Sequence, residues 1–341
     1  WVFANSAGVN KWAIGTATNN GGTQGIYVSN DFGVTNAYTN TVITWSHFYK
    51  SVTFPAGETA VILKFDWKCI GEQTTSNFDY IRVSLATATP VNTAMPALAD
   101  QLPIVFNSQA GYTTAYIAIP ASMATGTKNL IFSWYNDGSL TNGFPGAVDN
   151  ISLVSAVPAP LAGTLSIPGT FNGMSEAIAN LNAHGVGGGG VTFDVMAGSV
   201  FNETPTAINV TGSPSDPIIF QKSGGGANPL VVSSGTGNFG AATNTSTTSI
   251  GDGVIVIVGG DYITFDGIDV QSANIVGATT TPNVIEYGYL IKNASATNGA
   301  QNNVIKNTTI TLNRTNTNSR GILQSATTTA GGFAPTAASG A

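Results

Sequence analysis

The stretch that most constrains this chain is Gly251 to Val270, GDGVIVIVGGDYITFDGIDV, where two short β-branched and aromatic runs meet at Gly259-Gly260 and break at Asp266-Gly267. Such residues favour a pleated, half-buried surface, and paired glycines permit the positive φ of a sharp corner. The same order of strand and corner recurs. Gly288-Tyr-Leu-Ile291 leads to Asn303–Asn307 and Thr309–Leu312, and Gly321–Gln324 opens a third round. The starts Gly253, Gly288 and Gly321 lie 35 and 33 residues apart, a period of stacked repeats. Gly267 and Asn307 correspond as corners, both being types that tolerate the left-handed conformation. Asn293 to Gln301 then replaces the Gly259-Gly260 corner by a longer loop. A β-solenoid allows this, because each coil needs only its neighbours.

The rest of the composition agrees with an all-β chain of about two domains. Of 341 residues, 8% are charged and 42% hydrophobic, and the remainder is largely Thr, Asn, Ser and Gly, which bond water without charge. A net charge of −6 with 11 Lys plus Arg offers no basic patch for phosphate backbones, so nucleic acid is not expected as a partner. No run approaches eighteen consecutive apolar residues, so no membrane span is expected. Starting at Trp1 without a leader, and ending in the Thr-, Ala- and Gly-rich stretch 326–341, the chain reads as a processed or truncated product with further coils beyond it. The sole cysteine, Cys69, follows Phe65-Asp-Trp-Lys and reads as a small buried hydrophobe.

Residues 1 to about 154 alternate strand and turn signals, from Trp12–Gly15 and Gly25–Ser29 through Ala60–Trp67, Tyr80–Leu85 and Lys128–Trp134 to Asp149–Leu153. This spacing suggests an antiparallel sandwich. Val157-Pro-Ala-Pro160 favours extended backbone and stops a sheet, which makes residues 157–163 a linker between a domain at 1–156 and one at 164–341. The second domain opens with the one convincing helix, Met174 to His184. Its Ala177, Ile178 and Leu181 fall at helical spacing, with Ser175 as N-cap and Gly185 as stop. That helix is the expected cap of the solenoid, whose bare first coil would otherwise expose core. His184, in its last turn, is expected to gain partial positive charge from the helix dipole. Gly187–Gly190 reads as a flexible turn, and His47 as a sandwich residue and not a ligand.

Trp12-Ala-Ile-Gly15, Gly25–Asp31, Phe65-Asp-Trp67 with Gly71-Glu72, Phe78–Val83 and Gly146–Ile151 together resemble the cleaved-adhesin or MAM-like jelly-roll modules. These modules occur in secreted and surface proteins of gliding and gingipain-producing bacteria that use the type IX route. The opening strand with an acidic residue that usually precedes the first Trp is not in this sequence. Residues 164 to about 326, with Val191–Val195, Asp216–Phe220 and Tyr262–Gly267, resemble the right-handed parallel β-helix domains of the same proteins. The resemblance thus implies an antiparallel jelly-roll sandwich followed by a right-handed parallel β-helix with a short N-terminal capping helix. It also implies an extracellular place at the surface of a Gram-negative bacterium and export by the type IX machinery. Family members often hold calcium where loops meet the last strand, which directs attention to Asp149, Asp31 and Asp79; the alternative for Asp31 and Asp79 is a turn residue bonding its own backbone. Surface or matrix polysaccharide is the implied partner. Trp45, Trp12, Trp1 and Tyr38 are the aromatics that could stack on a sugar, each weighed against a place in the core.

Catalysis on a β-helix needs clustered or paired carboxylates, with an Arg or Lys for lyase chemistry. The acidic candidates are Asp252, Asp261, Asp266, Asp269 and Glu286, and the basic ones Lys292, Lys306, Arg314 and Arg320. They read as surface residues at strand ends, Asp266 and Lys306 forming an exposed pair worth at most about 1 kcal/mol, so no catalytic residue is assigned. The expected function is a non-enzymatic cell-surface adhesin or filament segment that binds glycan. The alternative is a β-helix polysaccharide lyase or hydrolase with a carbohydrate-binding jelly roll. Homo-association has no sequence signal.

Overall fold

The computed structural model describes residues 1–72, 78–141, 143–233, 253–273, 275, 285–316 and 319–325; Asp252 and the stretch 326–341 lie outside the described residues. Among the described residues the regular secondary structure is nearly all strand, with one α-helix and one short 3-10 turn at Leu98–Asp100. They form two compact units, one of Trp1–Ala115 with Ile119–Val157 and one of Tyr116–Ala118 with the chain from Pro158 onward.

Apart from Tyr116–Ala118 of β8, the first unit contains ten strands: β1 (Val2–Ala4), β2 (Lys11–Gly15), β3 (Gly25–Ser29), β4 (Thr44–Phe54), β5 (Ala60–Cys69), β6 (Tyr80–Ala86), β7 (Gln101–Phe106), β8 (Gln109–Ile119), β9 (Gly126–Asn136) and β10 (Ala147–Ala156). They form two antiparallel sheets, ordered β1-β4-β9-β6-β7 and β2-β3-β10-β5-β8. Phe48 and Phe132 are fully buried and their rings stack at 4.8 Å, with Phe65 and Trp12 edge-on to them. Gly57 and Gly126 take positive φ at the turns after β4 and before β9, where a side chain would be strained. Cys69 is fully buried, and burial pushes its thiol pKa up, as befits a small hydrophobe.

His47 on β4 is also fully buried, its Nδ1 2.8 Å from Ser133 Oγ and its Nε2 3.1 Å from the Val91 carbonyl. Burial lowers its pKa, so the unfolded chain takes up the proton first. The stability His47 allows is therefore complete above its unfolded value of about 6.5 and is lost as pH falls toward the depressed folded value. Thermal melts between pH 7.5 and 5 should show this loss, and His47→Gln should flatten the slope.

The second unit contains β11 (Leu161–Ile167), α1 (Met174–His184), β12 (Val186–Met196), β13 (Val200–Asn202), β14 (Ile218–Ser223), β15 (Leu230–Ser233), β16 (Gly253–Val258), β17 (Ile263–Asp266), β18 (Asp269–Ser272), β19 (Tyr287–Lys292), β20 (Val304–Lys306), β21 (Ile310–Thr311) and β22 (Arg320–Ser325). The chain returns in turn to three parallel sheets, β11-β12-β14-β17-β20, β13-β15-β18-β21 and β16-β19-β22. Phe193, Phe220 and Phe265 occupy equivalent places in successive strands and stack at 4.4 and 4.8 Å, fully buried.

Several local expectations are corrected here. Leu161–Gly163 are already in strand β11, paired with β12, and do not belong to a linker. Gly187–Gly190 belong to β12 rather than to a turn. Register shifts there, from Leu161↔Val186 to Gly163↔Val191, and the surplus residues take a bulge with positive φ at Gly189 and Gly190. Gly253 pairs with Tyr287, one residue off the expected Gly288, whereas Tyr287 pairs with Arg320 so that Gly288 and Gly321 do correspond. Inward side chains decide this register, placing Ile255 over Tyr289 and Ile257 over Ile291. A Cβ at Gly288 would lie 2.4 Å from Ile310 Cγ2, which explains its glycine.

Helix α1 ends at Gly185, φ 75°, but Ser175 is not its cap. Gly173 takes the N-cap place, and Glu203, just past β13, accepts the Met174 and Ser175 N–H groups at 2.6 and 3.1 Å. His184 is not favoured as a cation: its Nδ1 accepts the Ala159 N–H at 3.1 Å, and burial lowers its pKa.

Candidate functional site

In the first unit, Thr44 and Ser46, Trp134 and Asn136, and Asp79 and Ile81 are buried, so strand alternation turns Trp45, Tyr135 and Tyr80 to the opposite, outer face. These three are direct cross-strand neighbours on β4, β9 and β6. Their half-buried rings touch in sequence, Trp45 to Tyr135 at 5.9 Å and Tyr135 to Tyr80 at 5.3 Å. The Arg82 guanidinium lies over Tyr80 at 5.6 Å and extends the row. Of the four aromatics singled out in the sequence, Trp45 alone joins this row. Trp12 is buried, with its indole N–H donated to the Ser46 carbonyl, so it is core and not a sugar platform. Tyr38 packs on Trp134 and donates its hydroxyl to Asp79 Oδ2, which occupies its polar end. Trp1 is 41% exposed and lines a surface cleft of about 300 Å³ together with Asp149, Asn150 and Ile151.

The three candidate metal carboxylates fall into three settings. Asp31 closes its own turn, accepting from Ser29 Oγ, the Val34 and Thr35 N–H groups and Thr35 Oγ1, and these bonds hold its carboxyl down at about 2. The turn alternative thus describes Asp31. Asp149 accepts the Asn20 and Asn150 N–H groups at 2.7 and 2.8 Å, and the Asn20 and Asn150 amides also bond Asp66. Asp79 is different. It gathers with Glu72 and Asp137 so that one carboxylate oxygen of each lies within 4.8 Å of the others. Asp79 Oδ1 accepts the Asp137 N–H at 3.1 Å, and burial, the largest cause, pushes its pKa up to about 6. Glu72 and Asp137 were not singled out in the sequence, although Glu72 lies in the Gly71-Glu72 pair that helps carry the resemblance.

In the second unit, Asp194, Gln221, Asp266 and Lys306 form one in-register row across β12, β14, β17 and β20. Alternation sets them opposite the buried phenylalanine stack, and they are bonded in pairs: Gln221 donates to Asp194 at 2.8 Å and Lys306 pairs with Asp266 at 3.2 Å. The expected Asp266–Lys306 pair and the Gly267–Asn307 corner match are both present, with φ of 70° and 56° at the corners. Asp194 and Gln221 were not among the sequence candidates. Asp261 bonds the Gln301 N–H and Asp269 the Thr309 N–H, each tying one corner to the next coil.

No family model matches this chain, and no curated protein does. Among solved structures, the catalytic domain of a GH87 alpha-1,3-glucanase in complex with nigerose is similar at a TM-score of 0.22 and 12% identity. The match covers 91% of this chain, which spans 60% of that one. That structure is an enzyme's catalytic domain, which runs against the expectation of a non-enzymatic chain, and that expectation is withdrawn. At this TM-score the likeness carries no weight for fold, substrate or reaction, which rest below on the residues themselves. Among the described residues no helix is long and apolar enough to cross a membrane.

Proposed function

We propose that this chain binds an extended polysaccharide through the outer face of its first unit. The observation that carries this reading is the row Trp45–Tyr135–Tyr80 with Arg82, contiguous across three strands. Ring faces present an apolar surface to the C–H side of a pyranose, and the phenol hydroxyls and guanidinium supply the polar contacts that orient it. In this proposal the first unit is a jelly roll. Strands β3 to β10 support that, because their two sheets run β3-β10-β5-β8 and β4-β9-β6-β7, the interleaved order of two Greek keys. The second unit is a right-handed parallel β-helix capped by α1, a reading supported by its three sheets of parallel, in-register strands. Cell-surface display by the type IX route belongs to the same proposal.

Retention of the chain on a panel of neutral and acidic polysaccharides tests it. Trp45→Ala and Tyr135→Ala are each expected to weaken retention on the bound polymer tenfold or more. Unchanged retention for both, and for Tyr80→Ala, would remove this face from consideration.

A second reading, polysaccharide hydrolysis on the second unit, is favoured by the Asp194 and Asp266 row. Two strand spacings of about 4.8 Å set these carboxylates roughly 9.5 Å apart, near the upper end of the range at which inverting glycosidases admit a water. Sizing the polymers after incubation decides it. Polymers shortened by the unaltered protein but left intact by Asp266→Asn support hydrolysis here, and polymers left intact by the unaltered protein sink it.

A further inference from the structure

The strongest unassigned feature lies where β6 begins and β9 ends. Tyr80 pairs with Tyr135 and Ile81 with Trp134, so the same antiparallel register carried one residue on sets Asp79 opposite Asn136. Direct cross-strand partners project to one face with their Cβ atoms about 5 Å apart. Tyr38 marks the same face, touching Trp134 with its ring and Asp79 with its hydroxyl. Both residues are fully buried. Asn136 nonetheless has no hydrogen-bond partner on either amide atom, although it sits beside a carboxylate and next in sequence to another. A buried primary amide left unbonded on both ends is costly, so its place asks for a ligand.

The surrounding charge says which kind. Glu72, Asp79 and Asp137 bring three carboxylates together, and among the described residues no lysine, arginine or histidine pairs with any of them. Ser139 Oγ sits between Glu72 Oε2 and Asp137 Oδ1, 2.7 and 2.8 Å away, so its one hydroxyl proton can serve either carboxylate but only one at a time, which leaves the other to be neutralised by something else. An all-oxygen set of carboxylates and one amide carbonyl suits a hard divalent cation and offers no nitrogen or sulfur to a softer metal.

We infer that Glu72, Asp79, Asn136 and Asp137 hold one calcium-class divalent cation, Asn136 contributing its amide oxygen. The site is separate from the Asp149 and Asp31 positions and stands independently of polysaccharide binding. The cation ties the loop end before β6 to the end of β9.

The test is calorimetric titration of chelator-treated full chain with calcium, and with magnesium in a second arm, alongside thermal melts. One saturable site for either ion is expected, with melting raised by the ion. Asp137→Asn should weaken binding at least tenfold, and Asn136→Leu likewise. Asn136→Asp, which keeps the oxygen, should retain binding, an outcome that a merely structural asparagine would not produce. Asp149→Asn should leave the affinity unchanged. Absence of binding to the folded chain overturns the proposal. So does calcium binding that survives Asp137→Asn and Asn136→Leu, or that is lost with Asp149→Asn instead. Circular dichroism of each variant without the ion separates loss of the site from loss of the fold.

Discussion

Replacing Phe220 by alanine is expected to destabilise the second unit by about 3–5 kcal/mol, the range for removing a fully buried aromatic from a packed core. The size follows from its position. Phe220 lies between Phe193 and Phe265, nearly parallel to both with interplanar angles of 12° and 4°, so its loss empties the middle of a stack and both neighbours lose a ring face. Phe265 in turn meets Tyr289 edge-on at 5.4 Å, so the column continues into another sheet. Neither neighbour can collapse into the space, because each is fixed in register by its own parallel strand. Urea unfolding followed by circular dichroism measures the effect. Phe220→Leu should cost clearly less, and equal costs for the two would mean that the column is not the packed unit described above. Unfolding of stacked parallel strands need not be two-state, so the comparison is best made on midpoint and slope together.

Removing the Glu203 carboxylate should have the next largest effect, about 2–3 kcal/mol for Glu203→Ala. The first N–H groups of a helix have no partner within it, and those of Met174 and Ser175 are here buried and bonded to the two oxygens of one charged group. The negative charge also meets the positive end of the helix dipole. Gly173 allows the approach, since a Cβ there would lie 2.7 Å from Glu203 Oε1. Glu203→Gln keeps one acceptor and should recover part of the loss, and amide exchange at Met174 and Ser175 should rise in both variants. If exchange at these two amides is unchanged in Glu203→Ala, the helix is capped by something else.

The aromatic row and the acidic centre share one origin. Tyr80 and Tyr135 face outward, and Asp79 and Asn136 inward, on the same two strand ends, so one register sets both sites. Asp137 and Asp79 bond across 58 residues of sequence. Nothing in the neighbourhood of either residue signals the other, and Asn136-Asp137-Gly138 reads locally as an ordinary turn. The carboxylates singled out in the sequence illustrate the same limit. Asp31 and Asp79 both read as acidic residues at a strand end, Asp31 after β3 and Asp79 before β6, but Asp31 bends back on its own turn while Asp79 reaches across to the Asp137 N–H.

What the sequence determined by itself is what short-range physics decides: the recurrence of short strands and corners, the Gly267 and Asn307 corners themselves, the helix from Met174 to His184, and the strands that alternate cleanly. In each, backbone preference and side-chain periodicity act within a few residues. Tertiary structure alone decided which strands pair and in what register. It moved Gly253 one place from Gly288, supplied the cap of α1 from Glu203, turned Gly187–Gly190 into a bulge, and left Asn136 buried and unbonded opposite Asp79. Those outcomes depend on side chains brought together across the chain by burial, and their energies are set by partners that no local window contains.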